Sequence, residues 1–153
     1  MTVILYLHEK RELHADSLST GDGVVVSRKE KKIISITDDK NVKWYIGVAG
    51  VTSTIDALRR YFDGKNVKKR LISMKESGII INENNAFFIC TKKKAFIGYA
   101  DLTFDTLDYD YSIGSGRNLA MAAIKCGKSG VDAIKVAINM SVYCGGKVRS
   151  VKL

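Results

Sequence analysis

The chain has 153 residues, 46% hydrophobic and 27% charged, enough for one domain with a real core in an ordinary soluble composition. No apolar run approaches the roughly 20 residues a bilayer requires, and Val3 to Leu7 is too short, with no basic lead-in, for a secretory signal. The formal charge of +9 suits an acidic partner such as nucleic acid, but the basic residues are scattered without an aromatic ladder, zinc spacing or helix-turn-helix pattern, as on a solvated surface.

Thr2 to Leu7 is β-branched and apolar and reads as a buried strand. His8 to Arg11 is a polar turn, and Leu13 to Asp16 returns as the partner strand. With the turn centred on Glu9, Thr2 and Asp16 face each other. Gly21-Asp22-Gly23 supplies a turn, and Val24 to Ser27 and Lys31 to Ile36 bracket Arg28-Lys29-Glu30 as a second hairpin. Lys43 to Val48 is a further strand. From Thr52 to Phe62 the residues Ile55, Leu58, Tyr61 and Phe62 fall at helical spacing, with Ser53 or Thr54 placed to cap the start. Lys68 to Lys75 reads as a short second helix.

Ile79 to Asn82, Ala86 to Thr91 and Ala95 to Tyr99 are short strand-like runs, separated by Glu83-Asn84-Asn85 and Lys92-Lys93-Lys94 turns. An acidic, aromatic stretch from Asp101 to Tyr111 leads through Gly114-Ser115-Gly116 into a helix, Arg117 to Cys126. Ser129 caps another, Gly130 to about Val142, and Lys147 to Leu153 is the last strand. Strands, two helices, strands, two helices and a strand pack naturally as two antiparallel sheets face to face with helices outside. The expected fold is therefore α+β, a four-layer αββα sandwich, as one domain over 1–153. Proline is absent, so glycine and asparagine make the turns.

The chemistry begins at Met1-Thr2. Removing Met1 exposes a threonine whose hydroxyl and amine share one residue, and a free α-amine has an unperturbed pKa of roughly 7.7–8.0. Such an amine serves as general base for its own hydroxyl. A lysine nearby depresses the amine's pKa and leaves more of it basic at neutral pH. Lys32 is the candidate lysine, with Asp16 to hold it.

Asp16-Ser17-x-x-Thr20 followed by Lys31-Lys32-Ile33-Ile34-Ser35-Ile36, then Gly47-Val48-Ala49-Gly50, Gly114-Ser115-Gly116 and Tyr143-Cys144-Gly145-Gly146, resembles the β subunits of the proteasome and the peptidase of the HslUV protease. The resemblance spans nearly the whole chain and implies the N-terminal nucleophile hydrolase fold. It implies a threonine-type peptidase in which Thr2 is the nucleophile, Asp16 and Lys32 tune it, and Ser115 hydrogen-bonds near its amine. The Gly50 N–H would hold the oxyanion. Thr20, Gly21 and Gly47 would border the groove where substrate adds as an extra strand. Related proteins stack into rings, so a homo-oligomer is implied, acting on peptide or protein.

The pattern departs from the family at two accessory positions. Ser141 stands where an aspartate is usual, which removes a charge partner from the amine and hydroxyl network. Cys144 stands where serine is usual, a smaller change. These departures motivate an alternative, a catalytically inactive scaffold that self-assembles or grips a partner such as nucleic acid. Three cysteines without metal-type spacing fit a reduced, cytoplasmic protein. His8 and His14 have no metal-ligand partners and read as structural. No cofactor or metal is called for.

Overall fold

The computed structural model describes residues 2–83 and 85–153. Met1 and its removal, and Asn84 of the Glu-Asn-Asn turn, lie outside the described residues. Five successive apolar residues allow β1 (Val3–Leu7) to be buried on both faces: Val3, Leu5 and Leu7 point one way, Ile4 and Tyr6 the other. It pairs antiparallel with β2 (Glu12–Ala15) and with β10 (Tyr111–Gly114), and β11 (Arg149–Lys152) adds beyond β2, giving the order β10-β1-β2-β11. The second sheet takes β5 (Ile33–Thr37), β6 (Lys43–Ala49), β7 (Ala86–Cys90), β8 (Ala95–Tyr99) and β9 (Phe104–Thr106) in chain order, all antiparallel. Between β2 and β5, the short strands β3 (Ser19–Gly21) and β4 (Val24–Ser27) form a separate ribbon.

Alternation along these strands builds three apolar layers. Trp44, Ile46, Phe87 and Ile89 face α1 (Ser53–Phe62) and α2 (Val67–Ile72), where Leu58, Phe62 and Leu71 meet them. Ile4, Tyr6, Phe88 and Ile97 fill the space between the two sheets. Val3, Leu5 and Leu7 receive the alanine-rich faces of α3 (Arg117–Lys125) and α4 (Gly130–Met140), whose Ala120, Ala133 and Ala137 let the helices lie close to the sheet. Helix, sheet, sheet, helix is the expected four-layer sandwich.

Local departures have physical reasons. Ile79 to Asn82 is not a strand: β6 is already paired on both sides by β5 and β7, so Ile81 drops into the core while Ile80 stands 85% exposed. Helix α1 is capped by neither Ser53 nor Thr54; its N-cap is Thr52, which makes no side-chain cap bond, and the Thr54 hydroxyl is engaged elsewhere. Ser129 does cap α4, accepting from the Asp132 N–H at 3.1 Å. The first turn takes four residues, His8 to Arg11, with Arg11 at φ 54°, so the hairpin centres between Glu9 and Lys10. Its pairs run Ile4 with Ala15 and Leu5 with His14, which carries Val3, not Thr2, opposite Asp16.

His14 is buried beneath Gly130 at the start of α4, its ring between the Ser150 hydroxyl at 2.8 Å and the Glu12 carboxylate at 3.1 Å. Burial is the largest influence and pulls its pKa below the ordinary histidine value, against the raising effect of Glu12. The unfolded chain therefore takes up this proton first as pH falls. His14 should cost stability progressively as pH drops through about 6.5 toward its folded value. Urea melts at stepped pH check this: His14→Gln should flatten the slope of stability in that window.

Candidate active site

Asp16 follows the end of β2 and Lys32 precedes β5, so the β3–β4 excursion closes on itself to bring them together. Lys32 Nζ donates to Asp16 Oδ1 at 2.7 Å, with the two side chains 5% and 0% exposed. A dry ion pair is tolerated only if the remaining lone pairs are filled. Here they are: Oδ1 also accepts the Val3 N–H at 3.0 Å, and Oδ2 accepts the Gly145 N–H at 3.0 Å and, more weakly, the Leu18 N–H at 3.4 Å. Burial pulls the Lys32 pKa below the usual lysine value, and Asp16, Cys144 and Glu30 oppose the shift.

Thr2 reaches this pair through the backbone. The peptide joining Thr2 to Val3 is gripped at both edges: its N–H goes to Asp16, and its carbonyl accepts the Gly116 N–H at 3.2 Å. Asp16 thus acts on the residue next to Thr2 rather than facing Thr2 across the hairpin, which corrects the register expected from the sequence. The Gly-Ser-Gly turn makes the approach possible. Gly114 has φ 93°, and a Cβ there would overlap the Thr2 carbonyl. One on Gly116 would lie 2.6 Å from Cys144 Sγ and 2.9 Å from Val3 Cβ. Ser115 between them is exposed and is not the cap of α3, whose N-cap is Gly116.

Thr2, Lys32, Gly50, Ser115 and Thr20 line one cleft of about 880 Å³. Its apolar wall includes Ile97 and Tyr99 from one sheet and Tyr111 and Ile113 from the other, so it opens between the two sheets. Asp16 lies behind Lys32 and does not line it.

The other expected residues sit around this cleft in supporting positions. Gly47 lies inside β6, not at its end, and a Cβ there would stand 3.3 Å from Ile4 of the facing sheet, so its lack of a side chain serves sheet packing. Gly21 pairs with Val24 in the ribbon, beside the cleft residue Thr20. Ser141 ends α4; its carbonyl accepts the Cys144 N–H at 3.3 Å and its hydroxyl the Tyr143 N–H at 3.2 Å, and it does not line the cleft.

Cys144 is buried against α4, and desolvation first, then the Asp16 charge, pushes its thiol up to about 11. Burial pushes Cys90 to about 12. Both thiols stay protonated near neutrality and are poor nucleophiles. Brief iodoacetamide treatment of the folded protein at about pH 8 should therefore alkylate the exposed Cys126 and spare Cys90 and Cys144. Peptide mapping checks this, and early labelling of Cys144 would contradict its burial and raised pKa.

Two contributors were assigned no role from sequence. Ser17 donates to the Arg28 carbonyl and accepts the Lys147 N–H, both at 2.7 Å, which ties the Gly145-Gly146 turn to the Asp16 segment. Asn85, read as a turn residue, is buried behind Gly50 and bonded to Val51 and Thr54. Asparagine is so common in turns that only its burial distinguishes it. Among the described residues, no group of three or more His, Cys, Asp or Glu side chains converges to hold a metal ion, and no helix is long and apolar enough to cross a membrane.

No protein-family model matches the sequence, nor does any curated protein. Solved structures do match in fold. HslV from Trypanosoma brucei superposes with a TM-score of 0.74 at 18% identity, over 98% of each chain. BPH from Thiobacillus denitrificans gives 0.74 at 16% identity in its complex with epoxomicin, covering 98% of this chain and 97% of that one. Without that ligand BPH gives 0.73 at 17%, covering 99% and 96%. The chain has the HslV fold over 98% of its length.

Proposed function

We propose that the protein is a threonine-type peptidase of the proteasome β and HslV group, with Thr2 as nucleophile once Met1 is removed. The observation that carries this reading is the buried Lys32–Asp16 pair, bonded through Asp16 to the peptide of Thr2, at the wall of a substrate-sized cleft. Beyond tying the Val3, Leu18 and Gly145 backbone together, the pair sets a fixed ammonium at the cleft wall, and an ammonium beside a terminal amine depresses that amine's pKa and leaves it able to accept a proton.

The Thr2 amine takes the proton of its own hydroxyl as Oγ adds to the scissile carbonyl. The Gly50 N–H donates to the developing oxyanion, and the amine returns the proton to the leaving amine. Water then attacks the acyl-enzyme by the same route. Ser115 helps place the amine, and the ribbon at Thr20 aligns an extended peptide. The fold shared with HslV and BPH supports this reading, and by the same analogy we expect a homo-oligomer working in the cytoplasm.

The test is turnover of a peptide-amide library by protein whose N-terminal Thr2 has been verified, against the same protein N-acetylated. Cleavage by the first and its loss in the second is the expected result; equal rates would remove the amine from the mechanism.

One observation favours a second reading, a scaffold without turnover: residue 141 offers no carboxylate, and Ser141 spends its oxygens on the adjoining loop. A verified Thr2 terminus that cleaves nothing, in a protein that still sediments as an oligomer, is the outcome that scaffold predicts. Its nucleic-acid version further requires binding that falls steeply with salt.

A further inference from the structure

Gly50 and Val51 line the cleft, and the buried side chain behind them is Asn85. Its amide occupies the place a Cβ of Gly50 would take. Oδ1 accepts the Val51 N–H at 2.9 Å and Nδ2 donates to Thr54 Oγ1 at 2.6 Å, with Asn85 and Thr54 each 4% exposed. Both ends of the amide are used, and a flipped amide would set its NH2 against the Val51 N–H. The Asn85 N–H donates to the Asn82 carbonyl at 2.9 Å, and the next residue, Ala86, pairs with Ala49. Asn85 is therefore a strut standing on β7 and reaching across to the β6–α1 turn.

The strut decides which donor the turn can present. Two N–H groups are close to the cleft there, those of Gly50 and Val51. The Val51 N–H is taken inward by Asn85. Among the described residues, the Gly50 N–H makes no backbone hydrogen bond outside the strand ladders, β6 having ended at Ala49. Gly50 sits at φ 134°, which a residue without a Cβ adopts freely, and the space a side chain would need is filled by the Asn85 amide.

We infer that Asn85 is a positioning residue for the proposed hydrolysis: it holds the Gly50–Val51 peptide inward, leaving the Gly50 N–H as the donor aimed at the oxyanion, while Thr54 fixes the orientation of the Asn85 amide. This rests on the peptidase reading for its catalytic consequence. The strut itself does not. Removing Asn85 leaves a Val51 N–H without its acceptor and frees the peptide to rotate.

The test uses Asn85→Ala, Thr54→Val and Thr54→Ser in protein with Thr2 verified as the N-terminus, assayed well below each variant's melting temperature. Asn85→Ala should lower kcat by about 10²-fold, as loss of an oxyanion donor does, with KM within about twofold. Thr54→Val should lose part of this, and Thr54→Ser, which keeps the hydroxyl, should restore it. An unchanged kcat in folded Asn85→Ala, or a loss confined to KM, overturns the inference. Amide exchange gives a readout independent of turnover: Val51 should exchange faster in Asn85→Ala, with Leu58 in α1 unchanged. Unaltered exchange at Val51 overturns the strut. Wild-type protein that cleaves nothing sinks the peptidase reading and Asn85's catalytic role with it, while the exchange rates still decide the strut.

Discussion

Thr2→Ala should abolish peptide hydrolysis, with a fall in kcat on the order of 10⁶-fold, the scale seen when a nucleophile and its base act as one unit. Here the unit is a single residue, because amine and hydroxyl sit on its adjacent α- and β-carbons. Acetylating the amine while leaving the hydroxyl should therefore cost nearly as much as removing the hydroxyl. Thr2→Ser should retain part of the rate, since it keeps both groups. The fold should be indifferent to all three changes: the Thr2–Val3 peptide is held through backbone atoms, by Asp16 and Gly116, and none of these substitutions touches them. Steady-state rates beside melting temperatures separate the two effects. A Thr2→Ala protein as active as wild type would move the nucleophile elsewhere.

Breaking the ion pair should cost both stability and rate. Lys32→Met leaves the Asp16 carboxylate buried with only backbone donors, and Asp16→Asn sets a neutral amide against the Lys32 ammonium. Each single change should destabilise by about 3–5 kcal/mol, which for a domain of this size is a fall in melting temperature of roughly 10 °C. The double change Asp16→Asn/Lys32→Met should cost clearly less than the sum, because neither buried charge of the pair remains. Activity should not recover in the double variant. Recovered stability without recovered turnover would show that the pair is kept for chemistry. Additive losses would show that the two side chains do not interact.

Much of the architecture was legible because burial on both faces leaves a strong trace. Val3 to Leu7 and Ala86 to Cys90 are continuous apolar runs of strand length, and Ile55, Leu58 and Phe62 repeat at helical spacing. Strand pairing register was less accessible. It depends on whether the His8 to Arg11 turn centres on Glu9 or between Glu9 and Lys10, and the positive φ at Arg11 is not written in a residue that prefers it. Ile79 to Asn82 misled for a related reason: its run of three β-branched isoleucines suits a strand, but whether it finds a pairing partner is a tertiary fact.

The site divides in the same way. Asp16 and Lys32 stood out by type and spacing, and the structure brings them together. The roles of the supports did not stand out, because their value lies in what touches them. Gly145 serves through a backbone N–H, Ser17 through a hydroxyl between two distant segments, and Asn85 through an amide in a space that Gly50 leaves empty. Gly47 illustrates the converse. A glycine next to a functional motif was read as part of the groove, while its neighbour across the gap, Ile4, shows that it admits the facing sheet.

The central claim is that Thr2 carries a hydroxyl and a free amine that react together, and one measurement addresses it directly. Protein with the Thr2 terminus verified is incubated with a peptide epoxyketone, whose ketone takes the hydroxyl and whose epoxide takes the amine, and the intact mass is read. The account predicts a gain of one inhibitor per chain, mapped to Thr2 and absent from Thr2→Ala. An unshifted mass, or an adduct on any other residue, would contradict it.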